Sequence, residues 1–183
     1  MQTPYLIGTS IYLRPLNRED APILQRHMND PEVNRTIAIW RPMSLESEQE
    51  WIESTNRGEH TVVFGIALRE DDRLIGSTGF HEIDWRNRSA SFGIQIGDPA
   101  EWRKGHGTEA TRLITGYGFD RLNLNRIWLY VYEHNPGGVR AYEKVGYRRE
   151  GVLRRAVFRD GAYGDVYLMA ILAGEWREAH PLP

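Results

Sequence analysis

The densest chemical signal in the chain is Trp102-Arg103-Lys104-Gly105-His106-Gly107-Thr108-Glu109-Ala110. Gly105 and Gly107 let the backbone turn tightly and lie close to a ligand. A helix beginning here presents unpaired N–H groups and the positive end of its dipole. Together these make an anion site suited to a pyrophosphate. Arg103 and Lys104 add charge beside it. The same residues also read as an ordinary glycine-containing loop with two solvated bases. Gly105 to Ala110 fits the dinucleotide pattern G-x-G-x-x-G/A as well, with Glu133 able to imitate the ribose-binding acid. Context argues against that fit, because in a dinucleotide fold the glycines follow their strand almost directly. Here seven residues, Asp98 to Lys104, intervene after Gly97.

A second signal follows, Asn135-Pro136-Gly137-Gly138-Val139-Arg140-Ala141-Tyr142-Glu143-Lys144-Val145-Gly146-Tyr147. In this order and separation, the two segments resemble the cofactor-binding motifs of the GNAT superfamily of N-acetyltransferases. Those motifs are Q/R-x-x-G-x-G/A and, later, N-x-x-A/S-x-x-x-Y-E-K-x-G-F/Y. Trp102 departs from the first and Gly138 from the second. Leu153-Arg154-Arg155-Ala156-Val157-Phe158-Arg159-Asp160-Gly161-Ala162-Tyr163-Gly164-Asp165-Val166 resembles the end of the ribosomal-protein (Rim-type) and spermidine acetyltransferase branches. The likeness is good over about 73–173 and looser before that.

The resemblance implies acetyl-CoA as co-substrate, no metal, and direct attack of a neutral amine on the thioester. Ile94-Gln95-Ile96 would lie along the pantetheine arm, with Trp102, Arg103, Lys104, Gly105, His106, Gly107 and Thr108 around the phosphates. Tyr142 matches the family's general acid, its phenol protonated at pH 7 with a reference pKa near ~10. Otherwise it is a tyrosine packed on a helix face. Asn135 either bonds the pantetheine amide or an ordered water, or simply starts a turn. Lys144 either approaches the phosphates or is a solvated helix residue.

For the general base the candidates are His81, Glu82 and Asp84, with a water chain as the alternative. His81 has a suitable unperturbed pKa, although a lone histidine also reads as structural. Trp40, Trp85 and Phe80 are candidates for the acceptor wall, and equally for core. Glu46, Glu48, Glu50 and Glu53, with Glu82 and Asp84, would suit a polyamine. The four helix carboxylates also read as a solvated face.

The elements that must hold these residues follow from periodicity. Ile11-Tyr12-Leu13 reads as part of a strand. Asn17 caps a helix over 19–29, closed by Asp30-Pro31, and Ser44 caps another over 45–57. Strands over 61–69, 73–84 and 89–97 form an antiparallel meander. The helix over 106–121 has an apolar face of Ala110, Leu113, Ile114, Tyr117 and Leu122. Ile127 to Tyr132 is an apolar run, the mark of a strand buried on both faces. A short helix over 137–145 and strands over 147–158 and 164–172 complete the chain. The expectation is one α+β (mixed α/β) domain over 1–183. It has a GNAT-like fold with a mostly antiparallel sheet, a splayed parallel strand pair and helices on both faces.

Composition narrows the function. The 183 residues suit one core. A net charge of −2 gives no basic field for nucleic acid. With no cysteine, a thiolate metal site and a cysteine nucleophile are excluded. The six histidines lack metal-ligand spacing. The start shows no leader pattern and no run reaches membrane-spanning length, so a cytoplasmic enzyme is expected. The partner is an amine acceptor, either a peptide or protein α-amine or a small amine. A polyamine, an aminoglycoside, or a non-catalytic acyl-CoA sensor are the alternatives. The resembling branches also suggest a homodimer.

Overall fold

A computed structural model describes residues 3–37 and 39–181. Met1 and Gln2, where a leader would begin, lie outside them. The element order is β1 (Leu6–Ile7), β2 (Ile11–Arg14), α1 (Ala21–Asn29), α2 (Pro31–Asn34), α3 (Leu45–Arg57), β3 (Val62–Leu68), β4 (Leu74–Asp84), β5 (Ser89–Ile96), α4 (His106–Asp120), β6 (Arg126–Tyr132), α5 (Pro136–Val145), β7 (Arg148–Arg159), β8 (Ala162–Leu172) and α6 (Ala173–Ala179). The strands form one sheet in the order β1-β2-β3-β4-β5-β6-β8-β7. Every neighbouring pair is antiparallel except β5 with β6. This is the mixed α/β arrangement expected from the sequence, a mostly antiparallel sheet with one parallel pair.

Strand alternation sorts the core into two layers. Phe64, Phe80, Phe92 and Ile127 face α4, α5 and α6, meeting Ile114, Phe119, Tyr142 and Trp176. Val63 and Leu74 face α1 and α3, meeting Ala21, Leu24 and Ile52. Arg14 and Asp20, both buried, pair through two 2.8 Å bonds and fix the chain between β2 and α1.

Several boundaries depart from the sequence reading. The helix expected from residue 19 opens as a 3-10 turn, Arg18–Asp20, after Asn17, and α1 begins at Ala21. α1 ends at Asn29 with Asp30 as its C-cap, as expected, but Asp30 also opens a further short helix: its Oδ1 accepts from the N–H of Glu32 and of Val33 and starts α2. The helix expected from 137 begins at Pro136, because Asn135 Oδ1 accepts the Gly138 N–H at 2.9 Å and proline suits the first helical position. The largest departure is Glu48. The expected acidic face keeps Glu46, Glu50 and Glu53 at the exposed surface, while Glu48 turns inward with Ile52 and Thr55. It is 1% exposed.

Candidate active site

The parallel pair between β5 and β6 is short. It joins Ser89 to Arg126, Ala90 to Ile127 and Ser91 to Trp128, and then stops. Beyond it, Phe92 to Ile96 pair only with β4, and Leu129 to Tyr132 pair only with β8. The two strands therefore diverge. The β5 edge from Phe92 to Ile96 is left with main-chain groups that no neighbouring strand uses. Ile94 and Ile96 face the α4 side, and Gln95 faces the α1/α3 side. Gln95 is 7% exposed, yet neither its amide oxygen nor its amide nitrogen has a partner among the described residues. A buried amide in that condition is one that a ligand or water satisfies.

The wide end of the opening meets the glycine loop. Trp102 donates its indole N–H to the Ile96 carbonyl at 2.7 Å, tying the loop to the end of β5. Gly105 has φ +94°, a conformation that favours glycine, and caps α4. Glu109 N–H bonds the Gly105 carbonyl. The N–H groups of His106, Gly107 and Thr108 have no main-chain acceptor among the described residues. A Cβ placed at Gly105 would meet nothing within 4 Å, and at Gly107 only Ile96 Cγ1 at 3.8 Å. The helix start is thus open for an anion to approach, and the residues present fit a pyrophosphate.

The side chains of this loop have divided roles. Glu101 is buried and accepts from Arg73 at 2.6 Å and from Lys104 at 3.0 Å. Its hydrogen bond from Arg73, and next that from Lys104, hold its pKa down to about 2. His106 turns inward, with Nδ1 3.0 Å from Ser10 Oγ and Nε2 3.3 Å from Glu101. Its imidazole therefore braces the loop, and what it offers the opening is a backbone N–H. Arg103 is exposed, with φ +63° and no partner among the described residues. Lys104 is shared with Glu101. Glu101→Gln should loosen this hub. Steady-state kinetics should show the KM for acetyl-CoA rising about tenfold with kcat within about threefold. An unchanged KM would mean that the hub does not shape the phosphate site.

Tyr142 comes from α5 and packs on Phe92, the first residue past the last parallel pair, at 5.9 Å with rings nearly perpendicular. It is 8% exposed, and its hydroxyl makes no hydrogen bond among the described residues. Burial pushes its pKa up to about 12. Its neighbour Tyr147 differs, because its hydroxyl is 2.9 Å from Thr115 Oγ1. His81 lies on the other face of the sheet. It pairs with Ser91, and a Cβ placed on Gly93 would come within 3.4 Å of its Nε2. Neither ring nitrogen has a partner among the described residues. Burial lowers its pKa, against a smaller opposite pull from Glu82. Phe92 and Gly93 are consecutive, so the phenol and the imidazole flank one strand at the point where it parts from β6.

The other expected residues lie elsewhere. Asp84 ends β4 and Trp85 opens the turn that follows, at the end where β5 is still paired with β6. Asp84 accepts from Asn87 N–H at 2.9 Å, which depresses its pKa, and Trp85 donates to the Glu59 carbonyl at 2.9 Å. Glu82 is exposed, at φ +51° in the irregular stretch of β4. Phe80 is core. Trp40 is 77% exposed beneath the Arg41 guanidinium, 4.2 Å from its ring centre. Asn135 is occupied in capping α5, and Lys144 is exposed in its last turn.

What the sequence reading missed is the rim. Arg159, at the end of β7, donates to the carbonyls of Asn34, Ile37 and Ile39. His134, just past β6, donates Nε2–H to the Arg35 carbonyl at 3.0 Å. The segment after α2 is thereby held against the ends of β6 and β7, beside the opening. The only signal for this was Arg159 itself, within the C-terminal segment that carried the family likeness.

Residues 10–148 match the family model for the acetyltransferase (GNAT) domain. The chain is 32% identical over 168 residues to the uncharacterized N-acetyltransferase p20 of Bacillus licheniformis, covering 90% of this chain and 93% of that one. It is 31% identical over 172 residues to spermidine N(1)-acetyltransferase of Vibrio cholerae, covering 93% and 97%. The crystal structure of the Vibrio cholerae spermidine N-acetyltransferase with CoA and spermine superposes with a TM-score of 0.85 at 28% identity, covering 92% of this chain and 99% of that one. With its splayed strands, glycine loop and family match together, the chain belongs to the GNAT acetyltransferases, N-acetyltransferases that use acetyl-CoA as acyl donor.

Proposed function

We propose that the acceptor is an α-amine, at the N-terminus of a peptide or protein, with Tyr142 as general acid and His81 as general base. The observation that carries this is the His81 imidazole, without a hydrogen-bond partner among the described residues, set on the face opposite Tyr142 and with its pKa lowered by burial. A base with a pKa below 6.5 suits an amine that is already partly neutral. An α-amine, with pKa near ~7.8, is about a quarter neutral at pH 7.4, whereas an alkylamine near ~10.4 is neutral in about one molecule per thousand.

Acetyl-CoA supplies an activated thioester. The free edge from Phe92 to Ile96 offers main-chain donors to position it and to stabilise negative charge on its oxygen. The N–H groups of His106, Gly107 and Thr108 bind the pyrophosphate, with Arg103, exposed on the same loop and without a partner among the described residues, as a cation beside it. His81 accepts the proton that the attacking amine sheds. Tyr142 gives its proton to the departing thiolate, a service worth about 10²–10⁴-fold.

A polyamine acceptor is the competing reading, supported by the spermidine acetyltransferase relatives. A peptide with a free N-terminus and an internal lysine separates the cases when run beside spermidine. Mass spectrometry should locate the acetyl group on the α-amine. Acetylation of spermidine in preference to the peptide would overturn the assignment.

A further inference from the structure

The β7–β8 hairpin runs past the end of β6. Val166 of β8 still pairs with Tyr132, and the next main-chain bond joins Glu133 N–H to the Asp165 carbonyl. At that level β7 bulges. Leu153 faces Val166 and Val157 faces Gly164, so Arg154, Arg155 and Ala156 stand against Asp165 alone. Arg155 adopts φ +52° there, and its N–H donates to Asp165 Oδ1 at 2.8 Å. Both arginine side chains are exposed. Arg155 lies 5.3 Å from the Tyr163 ring centre, and Arg154 has no partner among the described residues. Arg35 and Arg41 add exposed positive charge on the segment that Arg159 and His134 hold at this rim. Of the nearby carboxylates, Glu133 accepts from Asp165 N–H and Asp165 from Arg155 N–H. Asp160 is exposed at the hairpin turn. A chain of net charge −2 thus places a cationic rim beside its acceptor opening.

The rim lies four β6 residues, Leu129 to Tyr132, beyond the last parallel pair. At about 3.3 Å per residue this is roughly 13 Å. An extended peptide covers that distance in about three to four residues.

We propose that Arg154 and Arg155 are specificity residues that recognise an acidic peptide, with carboxylate side chains about three to four residues inward from the acetylated N-terminus. This rests on the α-amine reading above and narrows it. An α-carboxylate on a free amino acid is too close to its own amine to reach the rim, and a polyamine is repelled by it.

The test compares thiol release with three peptides that share the first residue, Ser, and carry Asp-Glu, Ala-Ala or Lys-Lys at positions three and four. Free serine and spermidine complete the panel. The acidic peptide should show a kcat/KM about five- to tenfold above the neutral one, fading at high salt, as expected for exposed ion pairs. Arg154→Glu/Arg155→Glu should reverse the order and favour the lysine peptide, with the KM for acetyl-CoA unchanged. Arg154→Lys/Arg155→Lys should retain the preference and control for folding. Equal rates for the three peptides, or the same order in the charge-reversed enzyme, would overturn the inference while leaving the α-amine assignment standing. Spermidine or free serine as the best acceptor would overturn both.

Discussion

Replacing Tyr142 by Phe should lower kcat by about 10²-fold or more while the KM for acetyl-CoA moves by less than about threefold. The ring stays packed on Phe92 and Tyr147, and the lost hydroxyl had no partner among the described residues. Stability should therefore be nearly unchanged. With its pKa pushed up to about 12, the phenol stays protonated across the working range, and no alkaline fall in rate from this group should appear below about pH 10. Tyr147→Phe is the matching control. It strips Thr115 of a buried partner, so it should cost about 1–2 kcal/mol of stability and leave kcat nearly intact. If Tyr142→Phe lowered the melting temperature and spared kcat, the phenol would be structural. Single-turnover kinetics beside thermal denaturation separates the two outcomes.

Glu48→Gln should make the folded protein more stable at pH 8 by up to about 3 kcal/mol, taking 1.36 kcal/mol per pKa unit. Burial pushes the Glu48 carboxyl up to about 7 from an ordinary 4.5, with no cation beside it and one oxygen lacking a partner among the described residues. Between these two values the folded chain holds a proton that the unfolded chain has released. This group's contribution is therefore fully present below about pH 4.5 and is lost as pH rises through 7. Glutamine removes that slope. Thermal denaturation at pH 4.5 and pH 8 should show the variant's advantage growing with pH, worth about 2–4 °C per kcal/mol in a chain of this size. An advantage independent of pH would contradict the assignment.

Glu48 also marks the limit of what the sequence discloses. Its neighbours Glu46, Glu50 and Glu53 made a uniform acidic helix the natural reading. The apolar stripe through Ile52 nevertheless passes one turn earlier through residue 48, and periodicity outranked residue type. Local chemistry was easier to read. Ser44 as a cap, Gly105 in its tight turn and the apolar run from Ile127 each act within a few residues, so α3, α4 and β6 fell close to their observed bounds. β1 is two residues long, and α6 follows β8 without a turn, so neither left a separable pattern.

The site divides in the same way. The glycine loop and Tyr142 lie in contiguous motifs. His81 was visible only as one of several candidates until the sheet register set it beside Gly93. Asp84, three residues on, was also a candidate, yet the register carries it to the paired end of β5. The rim is least legible, since Arg159 reaches Ile37 across 122 positions of chain. Nothing short of the folded sheet brings those residues together.

The most direct test of the account is CoA thiol release from acetyl-CoA, with and without a peptide that begins in a free serine. Acetyl transfer at the parted strands predicts release that depends on the peptide, saturates with it, and yields acetylated α-amine in equal amount. Binding of acetyl-CoA without release, for this peptide and for every other amine tried, would contradict it and leave a protein that holds the cofactor without using it.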